Sequence, residues 1–284
     1  MVGTAQRVNR SELGTALRVL REASGKEAKA VARGAVMSAS KLSKIETGKV
    51  SPSADDVDRV LTAIGVSEDV KIEFMDAARA AATETTAWRL IQRAGLHKAQ
   101  RQLQGIEARM TLLRVFQPAL VPGLLQTPEY MRAVLSRHED LTQESVRQTV
   151  MARLERQDVL QDPGKTLRFV ITEPVLRWLI VPATVMVGQL DRLASVSRLP
   201  HIDVRVVPLA GPKHDIPNHP FVIRDDRAAT VETVHAEIVV TDPRDVALYV
   251  AKFDGFAQDA LHGDGMRALL EGIRNDLLPQ RETH

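Results

Sequence analysis

Five residues have the types and spacing to do chemistry on a charged polymer: Ser38, Ala39, Ser40, Lys41 and Lys44. They lie in the run from Gly25 to Gly48, GKEAKAVARGAVMSASKLSKIETG. Lysine ammonium groups offset phosphate charge or donate to guanine O6 and N7. Small side chains at a helix start let the first turn approach base edges in a major groove. The chemistry in view is recognition of a duplex by contact, with no bond broken.

Such side chains need a helix to carry them and a neighbour to hold it. Helix-forming residues run from about Lys26 to Ala35, a short break follows, and a second helix begins near Ser38 or Ser40. There Leu42 and Ile45, three apart, share a buried face, leaving Ser38, Ala39, Ser40, Lys41 and Lys44 on the other side or at the exposed start. Gly48 stands where a left-handed residue ends a helix. Upstream, Ser11 is expected to cap a helix with Leu13, Leu17 and Leu20 on one face. Downstream, Ser53 caps a fourth helix with Asp55 and Asp56 in its first turn and Val57, Val60, Leu61 and Ile64 inward. A fifth follows Ser67, with Val70, Phe74 and Ala77 inward. The expectation is an all-α five-helix domain over residues 1–80.

Charge is distributed to match. The chain of 284 residues has a formal net charge of only +2. Residues 1–50 nevertheless hold ten Lys or Arg against four Asp or Glu, a balance of +6 that leaves −4 on the rest. A basic end on a near-neutral chain is the electrostatic footprint of a DNA contact, although a solvated charged surface reads the same way. Hydrophobic content of 44% and charged content of 26% are ordinary for a globular protein. Zero cysteines exclude disulfides, thiolate zinc sites and thiol nucleophiles. No apolar run reaches bilayer-spanning length and the start, MVGTAQRVNR, lacks a signal peptide's apolar block, so a cytoplasmic protein without membrane contact is expected.

A search for catalytic groups finds little. The histidines are scattered, and His214 and His219 with Asp215 between them in GPKHDIPNHP come nearest to a metal site, without a recognisable ligand spacing. Glu173 follows a strand, a position where carboxylates often act, yet it lacks a partner base and is read as capping the helix at Pro174. There is no glycine-rich phosphate loop or nucleophile elbow, and 4% aromatic content argues against binding single strands by stacking. The expectation is no enzyme, no cofactor and no metal.

Residues 81–110 are expected to form a connecting segment: ARAAATETT as a partly helical link, then a helix from Trp88 to Arg109. Arg89, Arg93, Lys98, Arg101 and Arg109 on that helix suit a wet face, a second DNA-backbone contact or a dimer contact. From 111 to 284 the pattern mixes strands and helices. Extended residues follow Thr111, Pro122–Gly123 turn the chain, and Thr127 with Pro128 start a helix. A helix from Thr142 to about Gln161 precedes the strand LRFVIT, and Pro182 to Leu199 is helical. Strands at His201–Leu209, Pro220–Asp226, Ala229–His235 and Glu237–Thr241 precede helices from Asp242 to Ala260 and from Asp264 to Leu278. Overall this is an α+β chain.

Two resemblances attach to these stretches. The spacing from Ala32 through Ser40, Leu42, Ile45, Glu46 and Gly48 to Pro52, above all SKLSKIETGKVSP, resembles the Xre, or lambda-repressor-like, helix-turn-helix domain. That implies a recognition helix after the turn, with Ser38, Ala39, Ser40 and Lys44 reading bases and Lys41 and Lys49 on phosphates. Val36 stands where that family usually has its turn glycine, leaving a tighter or a reshaped turn open, and Glu27 and Ala28 replace a usual glutamine. VPGLLQTPEY (Val121 to Tyr130), RLERQ (Arg153 to Gln157), ITEPVLR (Ile171 to Arg177) and IDVRVVPL followed by PFVI resemble the C-terminal domain of actinobacterial Xre-type regulators, including WhiJ-like, antitoxin-like proteins. The two together imply a regulator of double-stranded DNA, with a C-terminal domain that senses a small neighbour-encoded partner protein or a small-molecule effector. The alternative is an antitoxin-like protein that chiefly sequesters its small partner. Because one small reader supplies few base contacts, a homodimer is expected.

Overall fold

The computed structural model describes residues 10–50, 52–87, 95–234 and 236–278. Trp88, Arg89, Ile91 and Arg93, like the opening residues MVGTAQRVN, lie outside the described residues. The chain divides into two units, residues 1–85 with 239–245 and residues 86–238 with 246–284.

The first unit is helical: α1 (Arg10–Ala23), α2 (Ala28–Gly34), α3 (Ala39–Glu46), α4 (Ala54–Ile64) and α5 (Glu68–Ala82). Local chemistry sets most of the boundaries. Ser38 caps α3, its Oγ accepting the Lys41 N–H at 3.1 Å. Ser53 and Asp56 form a reciprocal capping box at the start of α4, and Gly65, left-handed with φ 82°, closes that helix. Leu13, Leu17, Val31, Leu42, Ile45, Val57, Val60, Leu61 and Ile64 form the core, with Leu20 and Phe74 partly buried against it. Two expectations are corrected. Ser11 lies inside α1, which already includes Arg10. The run after Ala82 becomes a strand, β1 (Thr83–Ala87), as suits its β-branched threonines.

The second unit is built on a mixed sheet of β2 (Leu112–Gln117), β3 (Thr166–Thr172), β4 (Ile202–Val207), β5 (Phe221–Arg224), β6 (Ala228–Glu232) and β7 (Ala236–Val240). From β7 the order is β7-β6-β5-β2-β3-β4. β2, β3 and β4 run parallel, and β5 is antiparallel to both β2 and β6. Central β3 is buried along most of its length because both its faces are covered. On one face Leu113, Val115, Phe169, Ile171 and Val204 pack with Leu124, Leu190 and Leu270 in the main core. On the other, Phe116 stacks on Phe256 at 4.0 Å between centroids, and the Arg168 guanidinium lies 5.2 Å from the centre of the Phe253 ring. Phe253 and Phe256 belong to α11 (Pro243–Asp259).

The remaining helices are α6 (Leu96–Glu107), α7 (Pro128–Leu135), α8 (Gln143–Arg156), α9 (Glu173–Arg177), α10 (Ala183–Val196) and α12 (Gly263–Leu277). Thr127 and Thr142 cap α7 and α8 through their hydroxyls, and Pro128 opens α7 as its first residue. The helix expected to reach Gln161 stops at Arg156 and tightens into a 3₁₀ turn over Gln157–Gln161. Helices with a mixed sheet make the chain α+β. Among the described residues no helix is long and apolar enough to cross a membrane.

Candidate nucleic-acid interface

The turn between α2 and α3 is a Schellman motif: Met37 N–H donates to Ala32 O at 2.9 Å and Val36 N–H to Arg33 O at 3.2 Å. Val36 occupies its left-handed position with φ 53°. The valine therefore adopts the conformation a glycine would have taken, and the turn is neither tightened nor lengthened. Gly48, at φ 69°, performs the same service after α3.

Three contacts fix α3 against its neighbours. Arg21 from α1 grips buried Glu46 with both ends of its fork, Nε to Oε1 at 2.7 Å and Nη2 to Oε2 at 2.9 Å. Gly14 of α1 faces the Ile45 carbonyl so closely that any Cβ there would fall onto the oxygen. Asp56 of α4 takes the Lys41 ammonium at 2.6 Å. Burial alone would raise the Asp56 carboxyl, but the hydrogen bonds from Lys41 and Ser53 outweigh it and hold the group below its usual range. Sequence reading used Glu46 only as a motif position; its spacing from Arg21, on a different helix, carries no local signal.

Ser38, Ala39, Ser40 and Lys44 are all exposed on or at the start of α3, and Lys49 is exposed just beyond it. Ser38 Oγ accepts the capping hydrogen bond, which leaves its O–H free to donate. Lys41 differs from the others, since its ammonium is already held by Asp56. Lys29 and Arg33, four apart on α2, are two further exposed cations that sequence reading passed over. Their i, i+4 spacing places them on one side of that helix and was the available signal.

The other candidate residues are held in structural contacts. Glu173, the first residue of α9, accepts Arg177 Nε at 2.6 Å and the Leu209 N–H at 2.8 Å, so it ties its helix to the chain after β4 and does not cap it. His214 is bonded to Asp259 through both ring and backbone N–H, and Asp215 to Lys252.

A helix-turn-helix domain model matches residues 12–73. A second model, described as a domain of unknown function, DUF5753, matches residues 100–272. No curated protein matches the chain. Among solved structures, TrmBL2, an archaeal chromatin protein with a novel mode of DNA binding, is 11% identical with a TM-score of 0.32. That alignment covers 69% of this chain and 60% of TrmBL2. Nuc, a phospholipase D family member from Salmonella typhimurium, is 10% identical with a TM-score of 0.34, over 64% of this chain and 97% of Nuc. At these scores neither likeness carries an inference about fold or activity. The helix-turn-helix match, with α3 exposed as its second helix, makes this a DNA-binding regulator. Since the other model takes in more than half of the sequence, the chain belongs to the DUF5753 family, with a helix-turn-helix domain placed ahead of the family's own domain.

Proposed function

We propose that the chain is a transcription regulator that recognises specific double-stranded DNA sequences as a homodimer, its second unit acting as the input domain for a small partner protein or a small-molecule effector. The observation that carries the DNA reading is the state of α3: an exposed first turn of small residues followed by Lys44, a cation without a protein partner among the described residues. Ser38, Ala39, Ser40 and Lys44 are the base readers in this proposal, and Lys49 a phosphate contact. Lys41 has first to leave Asp56 before it reaches a phosphate, so it contributes less than Lys49.

The test is selection from a random duplex library by the full chain, at physiological salt and with bulk competitor. Enrichment of one sequence family is expected. Against that site, Lys44→Ala loses about 1–3 kcal/mol and relaxes preference at one base pair, whereas Lys49→Ala weakens all duplexes alike and lowers the salt slope by about 1. Equal binding to every duplex defeats the proposal.

A further inference from the structure

The second unit contains a cavity of about 560 Å³, within the ordinary range for a small-molecule site. Its floor is one face of the sheet. Leu113 and Val115 of β2, Phe169 of β3 and Val222 of β5 line it, as strand parity and the pairing of Val115 with Val222 require. One wall is the PGLLQ part of the segment before α7, and another is formed by α6 and α8.

Three arginines line this apolar space, and they are not alike. Arg156 is fully partnered: Glu107, itself 1% exposed, accepts it twice at 2.6 Å, and Gln100 accepts it at 2.9 Å. Arg153 and Arg224 have no such match. The Arg153 Nη1 donates to Gln126 Oε1 at 3.2 Å, and the Arg224 Nη1 to Thr230 Oγ1 at 3.0 Å, both neutral acceptors. Among the described residues, the buried Arg224 Nε has no hydrogen-bond partner. Glu232 and Glu237 also border the cavity; with Glu107 their charges act on Arg224, while of these three Arg153 feels Glu232 alone. Burial, reinforced by the charge of Arg156, pushes Arg153 down to about 10, and the opposing influence of Glu232 does not undo it.

A part-buried cation whose hydrogen bonds reach only neutral acceptors is less well compensated than one that an anion joins. Arg153 is nonetheless held in place. Gln126, its acceptor, is buried and donates through Nε2 to Val121 O at 2.8 Å, while Gln126 O accepts Gln157 Nε2 at 2.8 Å. A side chain so oriented, hydrogen-bonded to a neutral amide, is a preformed half of an ion pair. Guanidinium is suited to the other half, since its planar fork meets a carboxylate or phosphate with two parallel hydrogen bonds.

We propose that this cavity binds an organic anion, one carboxylate or phosphate group on an apolar body, with Arg153 as the principal contact for the charged group, Arg224 as a further donor, and the apolar floor against the body. The proposal deepens the input-domain reading by naming the chemistry of the effector. It rests on that reading only for the consequence of binding, because binding itself is measured without DNA.

The probes are octanoate, octyl phosphate and uncharged octanol, titrated into the full chain by calorimetry, with melting temperature as a second readout. Octanoate or octyl phosphate is expected to bind at least about tenfold more tightly than octanol and to raise the melting temperature, and whichever of the two is tighter identifies the anionic group. Arg153→Gln is expected to weaken the anion by roughly 30-fold or more while leaving octanol unchanged, and Arg153→Lys to recover part of that loss. Equal affinity for octanol and both anions, no binding of either anion, or unchanged anion affinity in a folded Arg153→Gln chain each overturns the proposal. The comparison of anion with alcohol is made on the unaltered chain, so it decides the matter even if Arg153→Gln does not fold. DNA binding by the ligand-free chain, measured separately, keeps failure here distinct from failure of the regulator reading.

Discussion

Val36 shows how one residue can hold a turn at a cost. Its φ of 53° is a region that side chains with a Cβ avoid by roughly 1–2 kcal/mol per residue. Its side chain is 77% exposed and gains little from packing. Val36→Gly removes the steric term but adds unfolded-state entropy of about 0.5–1 kcal/mol, so a net gain of about 0.5–1 kcal/mol is expected. Urea unfolding reads it as a higher midpoint with an unchanged slope. A lower midpoint would mean that Val36 makes contacts in the folded state that outweigh its strain. The replacement of the usual glycine was legible in the sequence; which geometry resulted was not, because a turn of fixed length can keep its shape under strain or relax.

At the scale of elements, α3 is held by a charge pair whose strength depends on pH. The folded Asp56 carboxyl sits below its ordinary value, since hydrogen bonds from Lys41 and Ser53 more than offset its burial. A depressed carboxylate contributes stability that is fully present above the unfolded pKa, about 3.9, and is lost as pH falls through the folded value. Stability of the helical unit is therefore expected to fall between about pH 5 and the folded value, with that part of the acid limb absent in Asp56→Asn. An acid limb identical in the two proteins would show that other carboxylates carry it. Elements with local signals were the ones legible in advance. Ser53 before two aspartates, Thr127 before Pro128, and the valine-rich runs of β3 to β7 each announce themselves within a few residues. What could not be read was assembled over distance: Arg21 with Glu46, Arg156 with Glu107, and a cavity whose walls come from α6, the PGLLQ turn, α8 and five strands. In FVIR, period-two alternation does place Arg224 on the same face as Val222. It does not say that this face is roofed.

For the whole molecule, the magnitudes bear on how many copies bind. A specific DNA site is typically preferred over bulk DNA by about 4–10 kcal/mol, and one good bidentate base contact supplies about 1–3. One copy of this chain offers a single base-reading lysine, Lys44, and three small side chains on or at the start of an eight-residue α3. Even with help from the serines, that set falls short of the usual range, while two copies on adjacent half-sites reach it. The proposed homodimer therefore predicts an operator of two half-sites on one face of the duplex, centred one helical turn, about 34 Å, apart. Inserting about five base pairs between them carries the second half-site to the opposite face, and affinity is expected to fall by at least roughly tenfold. Sedimentation of the complex on the uninterrupted site should give two chains per duplex. A single chain per duplex, with affinity indifferent to the insertion, would require the missing discrimination to come from side chains outside α3, and Lys29 and Arg33 on α2 would be the first to replace.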